Sequence, residues 1–159
     1  MGRALDDRLD EGNFIGLVAG VPRQVFSVGL VNGDSVDYLT TSYLYGAGGP
    51  AITCSSGALT MKGRPFVHGY EIYLEKATLV YESGSCPLTV LKADGSSEQP
   101  KLDGGEEATT AFTAELQAAV DGVNARKEPD LLSGQLARDA LVLCHRECES
   151  VRTGKVVVI

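Results

Sequence analysis

Four acidic side chains crowd the beginning of the sequence and are the first candidates for chemistry. They are Asp6, Asp7, Asp10 and Glu11. Two neighbouring carboxylates can act as general acid and general base when one of them has a raised pKa. Carboxylates in the first turns of a helix also complement the helix dipole and need no further role. Both interpretations are open, and a solvated helix start is the favoured one because a run of charges is usually a solvated face.

Histidine and cysteine offer a second kind of chemistry. Cys144 and Cys148 are four residues apart and share a helix face, but His145 points about 100° away from them. A structural zinc site needs four ligands, so core packing of the two cysteines is favoured and we expect no metal. His68 begins a predicted strand and is a candidate substrate ligand or base. The alternative is an ordinary strand-end histidine that bonds to backbone or water.

Two short stretches resemble functional motifs and are better explained as turns. The sequence GAGG at residues 46–49 lies between two predicted strands, whereas a dinucleotide loop leads from a strand into a helix N-terminus. Glu75 and Lys76 interrupt the alternation of residues 68–84 and are predicted to form a charged hairpin bend. We therefore predict no cofactor-binding residue in this chain.

The elements that must position these side chains follow from the periodicity of apolar residues. A helix is predicted at residues 6–20, with Gly20 and Pro22 as its stop signal. Residues 24–92 alternate with period two in six runs, and Asn32-Gly33 is a strong hairpin signal. From residue 109 the period becomes 3.6, which predicts two helices. The second of them carries a predicted apolar stripe formed by Ala137, Leu141, Cys144, Cys148 and Val151. A short strand is predicted after it, at residues 156–159.

Length and composition limit the class of protein. The chain has 159 residues, which suits a single domain of residues 1–159, and it is 43% apolar and 22% charged. Its net charge of −7 argues against nucleic acid and against an anionic membrane surface. No apolar run reaches the ~20 residues of a membrane span, and the polar start does not resemble a secretory signal. We therefore expect a cytoplasmic protein.

Strands followed by helices predict an α+β fold. The expected architecture is a large, mostly antiparallel open sheet with two C-terminal helices packed on one face and a short N-terminal helix. The other face carries Tyr, Thr, Ser and Leu, as in YLTTSYLY at residues 38–45. A wide, partly apolar face usually meets another protein surface, so we expect a homo-oligomer, dimer or tetramer, through this open face. Thr41 or Tyr43, whichever points outward, is expected to lie in that interface.

Three stretches in order along the chain carry a resemblance to a known family. They are FIGLVAGVPRQVFSVG, GRPFVHGYEIYLEKATLVYE and SGQLARDALVLCHRECESVRTGKVVVI. Together they resemble the C-terminal domain of the Gfo/Idh/MocA family, the relatives of glucose–fructose oxidoreductase and inositol dehydrogenase. The resemblance implies an NAD(P)-dependent oxidoreductase acting on a sugar or polyol, with this domain supplying one wall of the substrate pocket and the subunit interface. The N-terminal Rossmann domain that holds NAD or NADP has no counterpart here, so this chain alone is expected to be inactive.

The resemblance also points to particular residues. Family members carry an Asp-x-x-x-His pattern about ten residues before the glycine that corresponds to Gly20. Counting back puts Asp10 at the histidine position, as the catalytic candidate, and Asp6 at the aspartate position. A further polar position falls on Asn13, so that Asp6, Asn13 and His68 are the candidate substrate ligands. An aspartate cannot replace the histidine unchanged, because its pKa lies near 4 rather than ~6.5.

Two other functions remain open from the sequence. The first is a stand-alone, non-catalytic module for dimerisation or ligand binding, which the aspartate at the histidine position favours. The second is a metal or thiol protein built on Cys144 and Cys148.

Overall fold

The computed structural model describes the backbone of residues 3–102 and 108–159, and the side chains of residues 9–102 and 109–159. The helices are α1 (Arg3–Ala19), α2 (Ala108–Ala125) and α3 (Gly134–Thr153), with a 3₁₀ turn at Asp130–Leu132. The strands are β1 (Gln24–Asn32), β2 (Ser35–Leu44), β3 (Ala51–Gly57), β4 (Gly69–Tyr73), β5 (Ala77–Glu82), β6 (Cys86–Lys92), β7 (Ser97–Glu98) and β8 (Val157–Val158).

The α+β class and the antiparallel pairing are confirmed. The strands are divided between two four-stranded sheets, with orders β3-β2-β1-β8 and β4-β5-β6-β7. Each sheet belongs to its own compact unit, and the unit boundaries fall after Thr60 and after Ala114. The six predicted strands all form, whereas the two-residue strand β7 is too short to leave a pattern.

The turns of the first sheet follow their sequence signals. Asn32 pairs with Ser35 across a two-residue turn, and Gly33 at its first position has a φ of 58°, which favours glycine. The GAGG stretch closes the next hairpin, where the Gly49 N–H donates to the Gly46 carbonyl at 3.2 Å. Both predicted turns are therefore confirmed.

Helices α1 and α3 pack on one face of the first sheet and form the core with it. The buried apolar cluster takes Ile15 from α1, Leu143 from α3, and Val25, Tyr43 and Val157 from the strands. Gly12 explains how close the helices lie, because a Cβ added there would be 3.2 Å from the Ala140 Cα. A glycine that weakens the isolated helix thus permits its packing against α3.

The predicted apolar stripe of α3 is partly wrong, because only Cys144 of its five members is buried, while Cys148 and Val151 are half-buried. The residues that α3 buries are Ala140, Leu143, Cys144, Glu147 and Ser150. Ala137 and Leu141 are exposed instead. A stripe with two polar members escapes a search for apolar periodicity, because hydrogen bonds to distant strands are what make the burial of Glu147 and Ser150 favourable.

Ser150 joins α3 to strand β1 and to the chain that leads into β8. Its Oγ accepts from the Ser27 N–H at 2.8 Å and donates to the Lys155 carbonyl at 2.6 Å. Ser27 in turn shares a 2.7 Å hydrogen bond with the Thr41 hydroxyl. These groups are fully buried, so the network is costly to break.

We expect Ser150→Ala to lower the free energy of unfolding by about 1–3 kcal/mol, because the buried Ser27 N–H loses its acceptor and the Lys155 carbonyl loses its donor. Thr153→Ala on the same helix is the control, since the Thr153 hydroxyl bonds an exposed carbonyl of its own helix. We expect the control to change stability by less than about 0.5 kcal/mol. Urea unfolding followed by circular dichroism measures both, and equal effects would contradict the assignment.

Candidate substrate site

Helix α1 carries two of the candidate residues on its outer side. Asp10 is exposed and Asn13 is half-buried, and their spacing of three residues makes them neighbours on one helix face. Gly12 and Gly16 lie on the side toward α3, because added Cβ atoms would be 3.2 Å from Ala140 and 3.1 Å from Leu136. The packing of α1 through its glycines therefore turns Asp10 outward. The side chain of Asp6 lies outside the described residues.

His68 lies in the second unit, just before strand β4. Its backbone is fixed by Ser83, whose Oγ accepts from the His68 N–H at 2.9 Å and whose N–H donates to the His68 carbonyl at 2.8 Å. The imidazole lies between two rings, with centroid distances of 5.5 Å to Phe66 and 5.6 Å to Tyr81. Its Nε2 is 3.4 Å from the Tyr81 hydroxyl. His68 thus belongs to a row of aromatic rings that continues from Tyr81 to Tyr70, which is the cross-strand partner of Tyr81.

The structure therefore brings Asp10 and Asn13 together on α1 and places His68 in the other unit. The roles proposed for these side chains remain predictions. The Glu75-Lys76 pair, in contrast, lies at the exposed bend between β4 and β5, where the Leu74 N–H donates to the Ala77 carbonyl at 2.8 Å. Its interpretation as a hairpin bend is confirmed.

Behind Asp10, the covered face of the first sheet holds a polar cluster that the sequence analysis missed. The Tyr43 hydroxyl of β2 donates to Glu147 Oε1 of α3 at 2.7 Å, and each of these residues is only 3% exposed. The half-buried Cys54 of β3 lies close enough to Glu11 of α1 for the charge of Glu11 to raise the pKa of the thiol. We refer to these four side chains as the buried acid cluster.

Burial and the nearby carboxylates keep the phenol and the thiol of the buried acid cluster protonated. The pKa of the Tyr43 phenol is raised far above its ordinary value, by burial first and then by the charge and hydrogen bond of Glu147. The pKa of the Cys54 thiol is raised to about 12, by burial first and then by the charge of Glu11. Cys54 is therefore a poor nucleophile at neutral pH, because the thiolate is the reactive form.

The cysteines of α3 do not suggest a metal centre. Cys144 is buried, Cys148 is half-buried and His145 is exposed. Within the part of the chain that the structure describes, no group of three His, Cys, Asp or Glu residues is arranged to hold a metal ion.

A dinucleotide does not fit the described residues. The GAGG turn joins two antiparallel strands, so its amides are not continued by the N-terminus of a helix. Helix α3 begins at Ser133, whose side chain already accepts from the Leu136 N–H, and the Glu128 carboxylate accepts from the Gly134 N–H at 2.6 Å. A carboxylate at that helix start would repel a pyrophosphate.

Comparison with solved structures identifies the fold. The aldose–aldose oxidoreductase from Caulobacter crescentus matches 99% of this chain with a TM-score of 0.77 and 16% identity. The UDP-N-acetylglucosamine 3-dehydrogenase from Acidithiobacillus ferrooxidans matches 92% of it, with a TM-score of 0.75 and 16% identity. The WlbA dehydrogenase from Bordetella pertussis, in complex with NADH and UDP-GlcNAcA, matches 96% of it, with a TM-score of 0.71 and 12% identity.

The present chain has the fold of one half of these oxidoreductases. It spans 48%, 46% and 46% of their respective lengths, which is about half of each. The structural likeness to Gfo/Idh/MocA-type oxidoreductases agrees with the resemblance of the sequence. No protein-family model matches the sequence, and the comparison with curated proteins gives no match. Among the described helices of this half-fold, none combines the length and apolar character that crossing a membrane requires.

Proposed function

We propose that the chain is the substrate-binding and oligomerisation domain of an NAD(P)-dependent oxidoreductase of the Gfo/Idh/MocA type that acts on a sugar or polyol in the cytoplasm. The observation that carries this proposal is the match of nearly the whole chain to one half of several oxidoreductases. The names of these neighbours refer to sugars or nucleotide sugars, which supports a carbinol substrate. The nicotinamide cofactor would be held by residues outside this chain.

The face of α1 that carries Asp10 and Asn13 would form one wall of the sugar pocket, with Asp6 at its upstream end. Oxidation of a carbinol removes a hydride from carbon and a proton from the hydroxyl, so the site needs groups that orient the hydroxyl and accept its proton. The Asn13 amide can both donate to and accept from sugar hydroxyls. The Asp10 carboxylate would accept a hydrogen bond from a substrate hydroxyl. His68 remains a candidate substrate ligand.

The uncovered face of the first sheet supports the oligomerisation part of the proposal. Its exposed apolar side chains include Val28 (53% exposed), Leu30 (57%) and Phe26, with Tyr38 and Leu44 on the neighbouring strand. The expectation that Thr41 or Tyr43 points outward is wrong, because both are buried on the face that the helices cover. The outward residues of β2 are their neighbours Thr40 and Ser42, which pair with Val28 and Phe26.

The second unit also leaves its side chains accessible to solvent. No described side chain of this unit is buried. This exposed surface supports assembly with other protein surfaces.

A stand-alone ligand-binding or dimerisation module is the second candidate. It is favoured by the aspartate at the family's histidine position and by the poor fit of a dinucleotide to the described residues. In that case the same α1 face would bind a ligand without oxidising it.

Ligand-observed NMR tests the proposal directly. In saturation-transfer spectra with D-glucose, myo-inositol or UDP-N-acetylglucosamine, we expect a signal from at least one sugar and none from NAD⁺ added to the same sample. Asn13→Ala should weaken the sugar signal at least about threefold, because a hydrogen-bonding group worth about 1 kcal/mol is lost. Glu149→Ala is the control, since this exposed residue lies on α3 and pairs with Arg146. Saturable NAD⁺ binding, or a sugar signal that Asn13→Ala leaves unchanged, would contradict the proposal.

A further inference from the structure

Four aromatic rings in the second unit lie in contact, one after the other. Tyr70 of β4 pairs with Tyr81 of β5, and their ring centroids are 5.6 Å apart. His68 follows at 5.6 Å from Tyr81, and Phe66 follows at 5.5 Å from His68. We refer to these four residues as the aromatic row. Rings at these distances leave no room for another ring between them, so a ligand has to lie across their outer side.

The aromatic row is accessible at one end and fixed by its neighbours. Phe66 is 72% exposed and His68 is also exposed, whereas the two tyrosines are half-buried. Two hydrogen bonds between Ser83 and the backbone of His68, at 2.9 Å and 2.8 Å, hold the histidine in place. A surface that is ordered before a ligand arrives loses little conformational entropy when the ligand binds.

The chemistry of the aromatic row matches that of a sugar ring. The face of an aromatic ring carries partial negative charge, and the C–H groups on the flat side of a pyranose carry partial positive charge. Phenol and imidazole groups at the edge of the row can exchange hydrogen bonds with sugar hydroxyls. A ring that is apolar on its flat side and polar at its rim therefore fits this surface.

The segment that leads into the aromatic row is basic, although the protein is acidic. Residues 38–70 contain no Asp or Glu, whereas the whole chain contains 21 such residues. The same segment holds the exposed cations Lys62 and Arg64. Within the described residues, no carboxylate forms an ion pair with either cation. The local charge therefore favours an anionic ligand.

The order of residues places Arg64 beside the aromatic row and the nearest acidic residues on the other side. Arg64 is two residues before Phe66, the spacing at which side chains of an extended chain share a side, and Pro65 favours an extended backbone at Arg64. Glu71 and Glu82 each follow a tyrosine of the row directly within a strand, so they alternate to the opposite side of the sheet. A guanidinium so placed can bind a carboxylate or a phosphate with two parallel hydrogen bonds.

We propose that the aromatic row binds the ring of an anionic sugar, whose carboxylate or phosphate is bound by Arg64. This inference rests on the function proposed above and narrows its substrate from any sugar or polyol to a sugar that carries a negative charge. His68, the candidate substrate ligand, contacts the sugar ring through its imidazole.

The chain contains only two histidines, which makes an NMR test specific. In ¹H–¹³C spectra, the imidazole of His68 reports on the aromatic row, and the exposed His145 of α3 is the internal reference. We expect D-glucuronate or D-glucose 6-phosphate to shift the His68 signals saturably and to leave those of His145 unchanged. D-glucose, which has the same ring without the charge, should bind at least about threefold more weakly. The two anionic sugars distinguish a carboxylate ligand from a phosphate ligand.

Two variants test the contributions of the ring and of the charge. Phe66→Ala should weaken the binding of the anionic sugar at least about fivefold, because an exposed stacking ring is lost. Tyr73→Ala is the matched control, since Tyr73 is 75% exposed on β4 and lies on the opposite side, where its hydroxyl donates to Glu71. Arg64→Gln should weaken the binding of the anionic sugar about two- to fivefold and leave that of D-glucose unchanged.

The outcomes separate this inference from the proposed function. Equal affinity in Phe66→Ala and the unaltered chain, or equal affinity for D-glucose and the anionic sugars, would overturn the inference. So would His68 signals that move with protein concentration instead of sugar, because they would assign the aromatic row to a contact between copies. If a sugar binds with the dependence on Asn13 described above while the His68 signals stay fixed, the proposed function stands and the role of the aromatic row alone is overturned. If His68 responds as expected and Asn13→Ala has no effect, the aromatic row stands as a sugar site and the pocket wall on α1 is wrong.

Discussion

Leu143→Ala is expected to lower the free energy of unfolding by about 2–5 kcal/mol, because the lost methyl groups leave a cavity in a packed core. Leu143 is 3% exposed and lies in the cluster formed by Ile15, Val25, Tyr43 and Val157. That cluster is where α1, α3 and three strands meet. The cavity would therefore weaken the attachment of both helices to the first sheet.

Leu141→Ala on the same helix is the matched control. The helix propensities change equally in the two variants, but Leu141 is exposed and its truncation should cost less than about 1 kcal/mol. Urea unfolding at one fixed protein concentration compares the variants, since assembly makes the midpoint depend on concentration. If Leu141→Ala were as destabilising as Leu143→Ala, the side of α3 that faces the sheet would be assigned wrongly.

The strands were predictable from the sequence because their periodicity is local. Residues 24–28 alternate between exposed and buried positions in the structure, with Val25 and Ser27 buried, as a strand with one covered face must. Turn residues fixed the hairpins, most clearly at Gly33. The division of the strands into two sheets was not predictable, because no residue pattern specifies which strands are left unpaired.

The side of β2 that faces inward could not be read from its composition. Tyr38, Thr40 and Ser42 alternate with Leu39, Thr41 and Tyr43, so the two faces have nearly the same polarity. A shift of one residue exchanges the faces completely. Thr41 is buried because Ser27 shares a hydrogen bond with its hydroxyl, and that partner is fourteen residues away.

The buried acid cluster could not be predicted for the same reason, because its interacting residues are far apart in the sequence. Glu147 looks like a surface residue of an amphipathic helix until Tyr43, which is 104 residues away, is placed beside it. Asp10 and Asn13, in contrast, could be proposed from sequence because a family pattern with fixed spacing leads to them. Their chemistry stays a prediction until a ligand is measured.

We expect substitution by arginine on the uncovered face of the first sheet to have the second large effect, which is dissociation of the oligomer. Val28 and Thr40 are cross-strand partners near the middle of that face. In a two-fold symmetric interface each substitution occurs twice, so Val28→Arg or Thr40→Arg would bury unpaired charges near their own copies. A penalty of about 3 kcal/mol or more corresponds to dissociation constants raised at least about 100-fold.

A control variant on helix α2 distinguishes an interface on the sheet face from one on another exposed apolar surface. Val123 on α2 is 78% exposed and lies on a stripe with Phe112, Leu116 and Val120. If assembly uses the sheet face, Val123→Arg should leave the oligomer intact while the two sheet variants dissociate. The reverse result would assign the interface to α2.

Sedimentation equilibrium of the unaltered chain and of Thr40→Arg is the most direct measurement of the central claim, that this chain is an assembling domain with an open sheet face. We expect the unaltered chain to sediment at twice or four times its mass of 16.8 kDa, and Thr40→Arg to sediment as the single chain. An unaltered chain that stays at 16.8 kDa at all concentrations tested, or a Thr40→Arg oligomer as tight as the original, would contradict it.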